Sequence, residues 1–206
     1  MKIQSYKTLK SHYESEVKEK KSIFLAKAFP VSIENEVEKI LSDLKKKYYD
    51  ATHRCYAYRL ISGKSKFADA GEPSGTAGIR ILNAIDHFEI HDCLLVVIRY
   101  FGGTKLGVGP LGKAYYNAAS DVLSKAEIIT MKPHYMAELM ASISSSERLL
   151  GFLYSNNIKI VETNYDLKVK IKCLIPVDDY ESISKKITEL LAGNLSIAVK
   201  DKILFK

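Results

Sequence analysis

Arg99-Tyr-Phe-Gly-Gly-Thr-Lys-Leu-Gly-Val-Gly-Pro-Leu-Gly-Lys-Ala-Tyr115 is the stretch on which the reading of this chain turns. Before it runs Cys93-Leu-Leu-Val-Val-Ile98, short, β-branched and uninterrupted, which reads as a strand buried on both faces. After it, Leu111, Tyr115, Ala118, Ala119, Val122 and Leu123 recur like one face of a helix. Gly109 then Pro110 reads as an N-cap followed by the first helical residue, a position where proline loses no needed donor. The order is strand, glycine-rich loop, helix.

Glycines let backbone N–H groups approach a ligand closely, and a helix N-terminus adds free donors and partial positive charge. Arg99, Lys105 and Lys113 add whole charges, so the loop has the chemistry of an anion site, most simply a phosphate site. Two known fingerprints nearly fit and are set aside. Gly107-Val-Gly109-Pro-Leu-Gly112 is a literal G-x-G-x-x-G, but residues 102–106 separate it from its strand and no repeated βαβ pattern follows. Gly107 to Lys113 matches a P-loop until Ala114, which stands where a hydroxyl should hold magnesium, and Pro110 removes one N–H.

A second unusual stretch precedes it, Asp69-Ala-Gly-Glu-Pro-Ser-Gly-Thr-Ala-Gly78. Its glycines and proline break regular structure, and a helix is expected to start near Ser74 to Thr76, with Ile79, Leu82 and Ile85 on one face. Asp69 and Glu72 could hold a metal, act as acid and base, or cap backbone donors. Acidic residues ahead of a helix are commonly caps. His53, Asp69 and Ser74 have the residue types of a triad, but no nucleophile-elbow motif supports one.

Elsewhere in this half, Ser22 to Phe29 reads as a first strand stopped by Pro30, after a charged, polar segment 1–21. Ile33, Val37, Ile40, Leu41 and Leu44 form a helix stripe ending in Lys45-Lys-Lys, where cations suit the helix dipole. His53 to Ile61 alternates like a strand, and Gly63 to Lys66 turns the chain.

Thr130-Met-Lys-Pro133 is the expected domain boundary, separating 1–130 from 131–206. Beyond it the pattern is strand 135–143, a helix opened by the capping box Ser144-Ser-Ser-Glu147, strands 159–165 and 167–175, a helix capped by Asp178 or Asp179 and closed by Gly193, and strand 195–204. That βαββαβ order points to a ferredoxin-like domain. An RNA-binding domain of this topology stacks bases on aromatics of its third strand. Here that strand is Lys168-Val-Lys-Ile-Lys-Cys173, with lysines on one face, which fits a solvated sheet or a phosphate contact but not stacking.

The chain carries a formal charge of +7, mostly contributed before residue 130, a mild preference for acidic partners such as RNA. Nearly half of its 206 residues, 47%, are hydrophobic, enough for substantial cores. Cys55, Cys93 and Cys173 lie far apart in apolar runs without metal spacing, and read as buried free thiols in a reducing compartment. No leader precedes residue 30 and no apolar run reaches membrane length, so a soluble, cytoplasmic protein without cofactor or metal is expected.

Ala51-Thr-His-Arg-Cys-Tyr-Ala57, Asp69 to Gly78, and Arg99 to Gly109 running on to Ala114-Tyr115, in this order, resemble the IMPACT/YigZ family; Lys20-Lys-Ser-Ile-Phe24 is similar to its opening motif. The similarity spans roughly residues 15–125, and residues 131–206 are similar in pattern to the small C-terminal domain of the bacterial members, itself like a C-terminal domain of elongation factor G. Two positions depart. The family's second aspartate before the first glycine is here Ala70, and its Gly-Gly-Leu is Gly109-Pro110-Leu111. The resemblance implies an α+β protein: an N-terminal domain like domain 2 of ribosomal protein S5, with helices on one face of its sheet, and the ferredoxin-like C-terminal domain. Eukaryotic members regulate translation by blocking activation of an initiation-factor kinase through its co-activator. They carry a further N-terminal domain not expected here, so that partnership is not carried over.

Two functional readings follow. In the first, a non-catalytic protein holds RNA or a ribosomal surface and so influences translation. Phosphates would meet Arg99, Lys105 and Lys113 on the backbone of Gly102, Gly103, Thr104, Gly107 and Gly109, bases would stack on Tyr100, Phe101 or Tyr115, and the second loop, Glu72, Ser74, Gly75 and Thr76, would offer another anion site. Tyr115 also lies on the helix stripe, which places it in a core. In the second, an enzyme acts on a phosphorylated or peptide substrate, with Glu72 as general acid or base and His53 and Asp69 beside it.

Overall fold

A computed structural model describes residues 5–206, with the backbone alone for 200–203. The chain divides into two compact units, Tyr6–Thr130 and Met131–Lys206. The first contains β1 (Tyr6–Leu9), β2 (Tyr13–Glu19), β3 (Ser22–Pro30), α1 (Glu34–Lys47), β4 (His53–Arg59), β5 (Ser65–Ala68), α2 (Gly78–His87), β6 (Cys93–Tyr100), α3 (Val108–Lys125) and β7 (Ile128–Met131). Five strands form an antiparallel sheet in the order β2-β3-β6-β4-β5, and β1 pairs with β7.

Strand β6 is central, and its alternation splits two cores. Cys93, Leu95 and Val97 join Phe24, Cys55 and the buried faces of α2 and α3. Leu94, Val96 and Ile98 join Val37 and Leu44 of α1. Every residue of the expected α3 stripe is buried. Helices therefore cover both faces of the sheet, not one, because an uninterrupted apolar strand has to be shielded on each side.

The polar segment before residue 21 also supplies two strands that its composition conceals. In β2, Tyr13 and Val17 face the α2/α3 core as partly buried residues while charged neighbours take the other side. Edge strand β5 is mostly exposed and carries no apolar run to reveal it. Helix α2 begins at Gly78, later than expected, because the preceding loop is held by side-chain bonds described below.

The second unit runs β8 (Pro133–Ala141), α4 (Ile143–Ser155), β9 (Lys159–Tyr165), β10 (Val169–Pro176), a 3-10 turn at Val177–Asp179, α5 (Tyr180–Leu190) and β11 (Leu195–Phe205). Its sheet order, β11-β8-β10-β9, is the ferredoxin-like arrangement. Leu149, Leu153, Ile183 and Ile187 pack on Leu139, Ile171 and Cys173. The expected capping box at Ser144 does not form. The N-cap is Ser142, whose hydroxyl bonds the hydroxyls of Ser144 and Ser145 at 3.0 Å. Asp179 is the N-cap of α5, again without a side-chain bond to the helix. Of the lysines on β10, Lys170 pairs with Glu138 at 3.2 Å and Lys172 with Glu162 at 2.5 Å, so they act as a charged sheet face. No helix among the described residues is long and apolar enough to cross a membrane.

One connection is strained. Glu19 pairs with Ser22, leaving Lys20 and Lys21 as a two-residue hairpin turn with φ of 43° and 67°. Turns of this kind favour asparagine and glycine, since L-residues with a Cβ resist the left-handed region. Replacing the pair by Asn-Gly is expected to stabilise the protein by about 1–2 kcal/mol, read as a higher urea midpoint with an unchanged slope.

Candidate functional site

The site is built on a row of residues abreast on three strands. Phe24 of β3 and His53 of β4 are both register partners of Arg99 on β6. Arg99 has the same parity as Cys93, Leu95 and Val97, so it points toward α2 and α3 and is only 5% exposed. Its guanidinium lies between two rings, 5.4 Å from the centre of Phe24 and 5.5 Å from that of Phe101. Its Nη1 donates to Glu72 Oε1 at 2.6 Å, and Nη2 to the Ser22 hydroxyl at 3.3 Å, while Nε is buried without a partner among the described residues. Arg99 is thus removed from the group of freely exposed phosphate ligands expected at the loop, because its charge neutralises a buried carboxylate.

Glu72 is the meeting point. The same Oε1 accepts from the Tyr115 hydroxyl at 2.8 Å. Tyr115 is fully buried, packed edge-on to Phe24 at 5.2 Å, and cannot stack on a base. Burial pushes its phenol far above the ordinary value, with the neighbouring Cys55 and Glu72 adding to the shift, so it remains a donor. The Cys55 thiol, 2.9 Å from the Asp69 carbonyl oxygen, is pushed up to about 12, chiefly by burial, and stays un-ionised.

The second oxygen of Glu72 has a different neighbour. His53 Nε2 lies 3.7 Å from Oε2, and His53 Nδ1 lies 3.0 Å from the carbonyl oxygen of Ala70. A carbonyl can only accept, so Nδ1 carries a hydrogen toward it. Ala70, where the family pattern has aspartate, has φ of 46° and turns its carbonyl to this histidine.

Asp69 does not join the cluster. Its Oδ2 accepts from Gly75 N–H at 2.8 Å, and its Oδ1 from Ala77 at 3.0 Å and Gly78 at 2.7 Å. It is the cap of the loop ahead of α2, which corrects its placement as metal ligand or acid–base partner. Ser74 is exposed, Gly75 has φ of 75°, and the buried Thr76 hydroxyl donates to the Pro73 carbonyl at 2.6 Å, so the second loop is spent on its own geometry.

On the other side stands the 18-residue α3. Its N-cap is Gly107, not Gly109, with φ of 84° and no capping side chain. Pro110 falls in the first turn, before the earliest intrahelical bond, Leu111 N–H to Gly107 C=O at 2.9 Å, so the proline still loses nothing. Gly102 allows a close approach: a Cβ there would lie 2.0 Å from the Lys21 carbonyl carbon. Gly102 N–H reaches the Ser22 hydroxyl at 3.2 Å, which seats the β2–β3 turn against this loop.

Between these walls opens a cleft of about 490 Å³. His53, Glu72 and Arg99 form its polar floor, Phe101, Leu106, Val108 and Leu111 its apolar side, and Lys105 and Gly107 its rim. Phe101 is 45% exposed and Lys105, Gly103 and Thr104 lie toward solvent. Tyr100 turns to the opposite face and donates to Asp50 at 3.0 Å, and Lys113, exposed on α3, does not line the cleft. Among the described residues no cluster of His, Cys, Asp or Glu is placed to hold a metal.

A model of the Impact N-terminal domain matches residues 20–123, the span that contains every residue of this cleft. The IMPACT family member YvyE of Bacillus subtilis is 31% identical over 197 residues, covering 95% of this chain and 91% of that protein. The chain belongs to the IMPACT family. An IMPACT family member of Thermus thermophilus is 41% identical over 156 residues, 76% of this chain and 85% of that one. Protein IMPACT of Oryctolagus cuniculus is 35% identical over 96 residues, 44% of this chain and 30% of its own length. Residues 147–194 match a domain of unknown function, DUF1949. A crystal structure of a hypothetical protein, 23% identical, shares the fold with a TM-score of 0.68 over 97% of this chain and 100% of that one.

The Asp69 cap carries a pH signature. Burial pushes its carboxyl up, but the three N–H donors together outweigh burial and hold it below the ordinary aspartate value. The unfolded chain therefore takes up the proton first as pH falls. The cap's contribution is complete above the unfolded value of about 3.9 and disappears as pH drops through the folded one. Asp69→Asn is expected to cost about 1–3 kcal/mol at neutral pH, and to flatten the acid limb of a stability-versus-pH curve measured by urea unfolding.

Proposed function

We propose that the N-terminal unit is an RNA-binding module, linked to translation, whose contact surface is the cleft rim and not its floor. The observation that carries this reading is the grouping of exposed cations and one exposed ring at a single end of the sheet. Lys20 and Lys21 occupy the turn seated on Gly102, and Lys105 stands on the rim beside Phe101. None of the three lysines has an ion-pair partner among the described residues, so their charges are available to a phosphate. The strained Lys20-Lys21 turn fits a role beyond folding, since a backbone outlier held by its surroundings marks functional positions. Phe101 keeps one face on Arg99 and is free to offer the other to a base.

The first turn of α3 adds unpaired N–H groups at Val108 and Gly109. The resemblance to the family, whose eukaryotic members act in translation, supports translation as the setting of this reading. The catalytic alternative keeps the His53–Glu72 approach alone, since Asp69 is committed to backbone donors.

The test is fluorescence anisotropy with a single-stranded RNA at several salt concentrations. Binding should weaken steeply with salt. The triple variant Lys20→Ala/Lys21→Ala/Lys105→Ala should flatten the log–log slope by about two, since each phosphate that a lysine neutralises on a single strand adds roughly 0.7 to it. Equal affinity and slope in the variant would exclude this rim, and no binding at low salt would exclude the module.

A further inference from the structure

Resting on the RNA reading above, we infer that the cleft is a ribose-reading pocket: Glu72 and His53 hold the 2′-hydroxyl of one nucleotide of the strand. The argument starts from an imbalance. Glu72 has a side chain only 4% exposed, and both its strong donors, Arg99 and Tyr115, converge on Oε1. Oε2 has no hydrogen-bond partner among the described residues, and the nearest polar atom, His53 Nε2, is 3.7 Å away. That gap is too long for a direct bond, and both residues line the open cleft. Oε2 opens onto the cleft instead of into the packed interior, so a group entering the cleft can supply its hydrogen.

A hydroxyl suits the gap. It donates its hydrogen to Glu72 Oε2, with His53 Nε2 on the other side of the same gap. A cationic donor does not suit it, because Arg99 and Lys105 flank the same space. The rest of the cleft completes a nucleotide. Phe101 and Val108 give an exposed apolar wall for a base, and Lys105 with the first turn of α3 receives a phosphate. The volume of about 490 Å³ lies within the range of small-ligand sites. Since a 2′-hydroxyl is what separates RNA from DNA at a given site, the pocket confers a preference that the lysine rim alone cannot.

The wild-type protein tests this without any substitution. A ten-nucleotide single-stranded RNA, its DNA counterpart and its 2′-O-methyl counterpart are titrated at one fixed, moderate salt concentration. RNA is expected to bind about ten-fold or more tightly than either of the others, the scale of one hydrogen bond to a charged group. Equal binding of RNA and DNA would overturn the ribose pocket while leaving the rim reading intact. Failure of all three to bind would overturn both.

Two variants locate the effect. Glu72→Gln removes the charged acceptor, and Val108→Trp crowds the cleft from an exposed position outside the buried network. Each is expected to bring the RNA-to-DNA ratio toward one. A ratio that persists in Val108→Trp, or in a Glu72→Gln protein that melts cooperatively, would place the discrimination elsewhere and overturn the assignment. Competition with a ribonucleoside 5′-monophosphate separates a strand from a free nucleotide. Displacement is expected only at millimolar concentration, since the monophosphate cannot reach Lys20 and Lys21. Displacement at micromolar concentration would overturn the strand in favour of a free nucleotide.

Discussion

The ion pair between Arg99 and Glu72 holds the N-terminal unit's site together. Each member alone would be an uncompensated charge within a nearly dry interior, a state that costs several kcal/mol. Paired at 2.6 Å, they tie β6 to the loop that leads into α2. Through Tyr115 the same carboxylate reaches α3, and through Ser22 the guanidinium reaches β3 and the turn before it. His53 of β4 faces it from the third strand. Five segments distant in sequence therefore meet at one charge pair, and the glycine loops are shaped to let them do so.

The basic residues of this chain do different kinds of work. Arg99 is structural by its position, whatever its sequence neighbourhood resembles. Lys170 and Lys172 of the second unit are held by carboxylates and cover a sheet face. Lys20, Lys21 and Lys105 are exposed and have no ion-pair partner among the described residues. A net charge of +7 cannot reveal this division, because it depends on which lysines find a carboxylate across strands, and that is a matter of register.

Periodicity makes much of the fold legible. The apolar run of β6, the α3 stripe and the βαββαβ order of the second unit all follow from hydrophobic spacing, which backbone geometry enforces. The strands β1, β2 and β5 are not legible, because they are short or polar and owe their existence to pairing with neighbours. The site is half legible. His53, Glu72, Phe101 and Lys105 stand out from the motifs and do gather at one cleft. Asp69 and Tyr115 are drawn toward chemistry by their neighbours, although a cap reading and a stripe position already mark each as structural. Arg99 carries a usable signal too, since its parity with Val97 and Leu95 aims it inward. The loop glycines mask that signal by making the strand's end look like a ligand site.

The same parity has a consequence for how β6 finds its alignment. From Cys93 to Ile98 both sets of alternating side chains are apolar and both enter a core. Sliding this strand by one residue would exchange the two sets with little change in hydrophobic burial, so oil alone does not fix its phase. Arg99 does. One step of slippage would turn the guanidinium toward α1, into the apolar surroundings of Val37 and Leu44, and strand Glu72 without its cation. A single polar residue at the strand's end thus works as an indexing pin, and the charge that looks like bait for a ligand sets the alignment of the whole sheet.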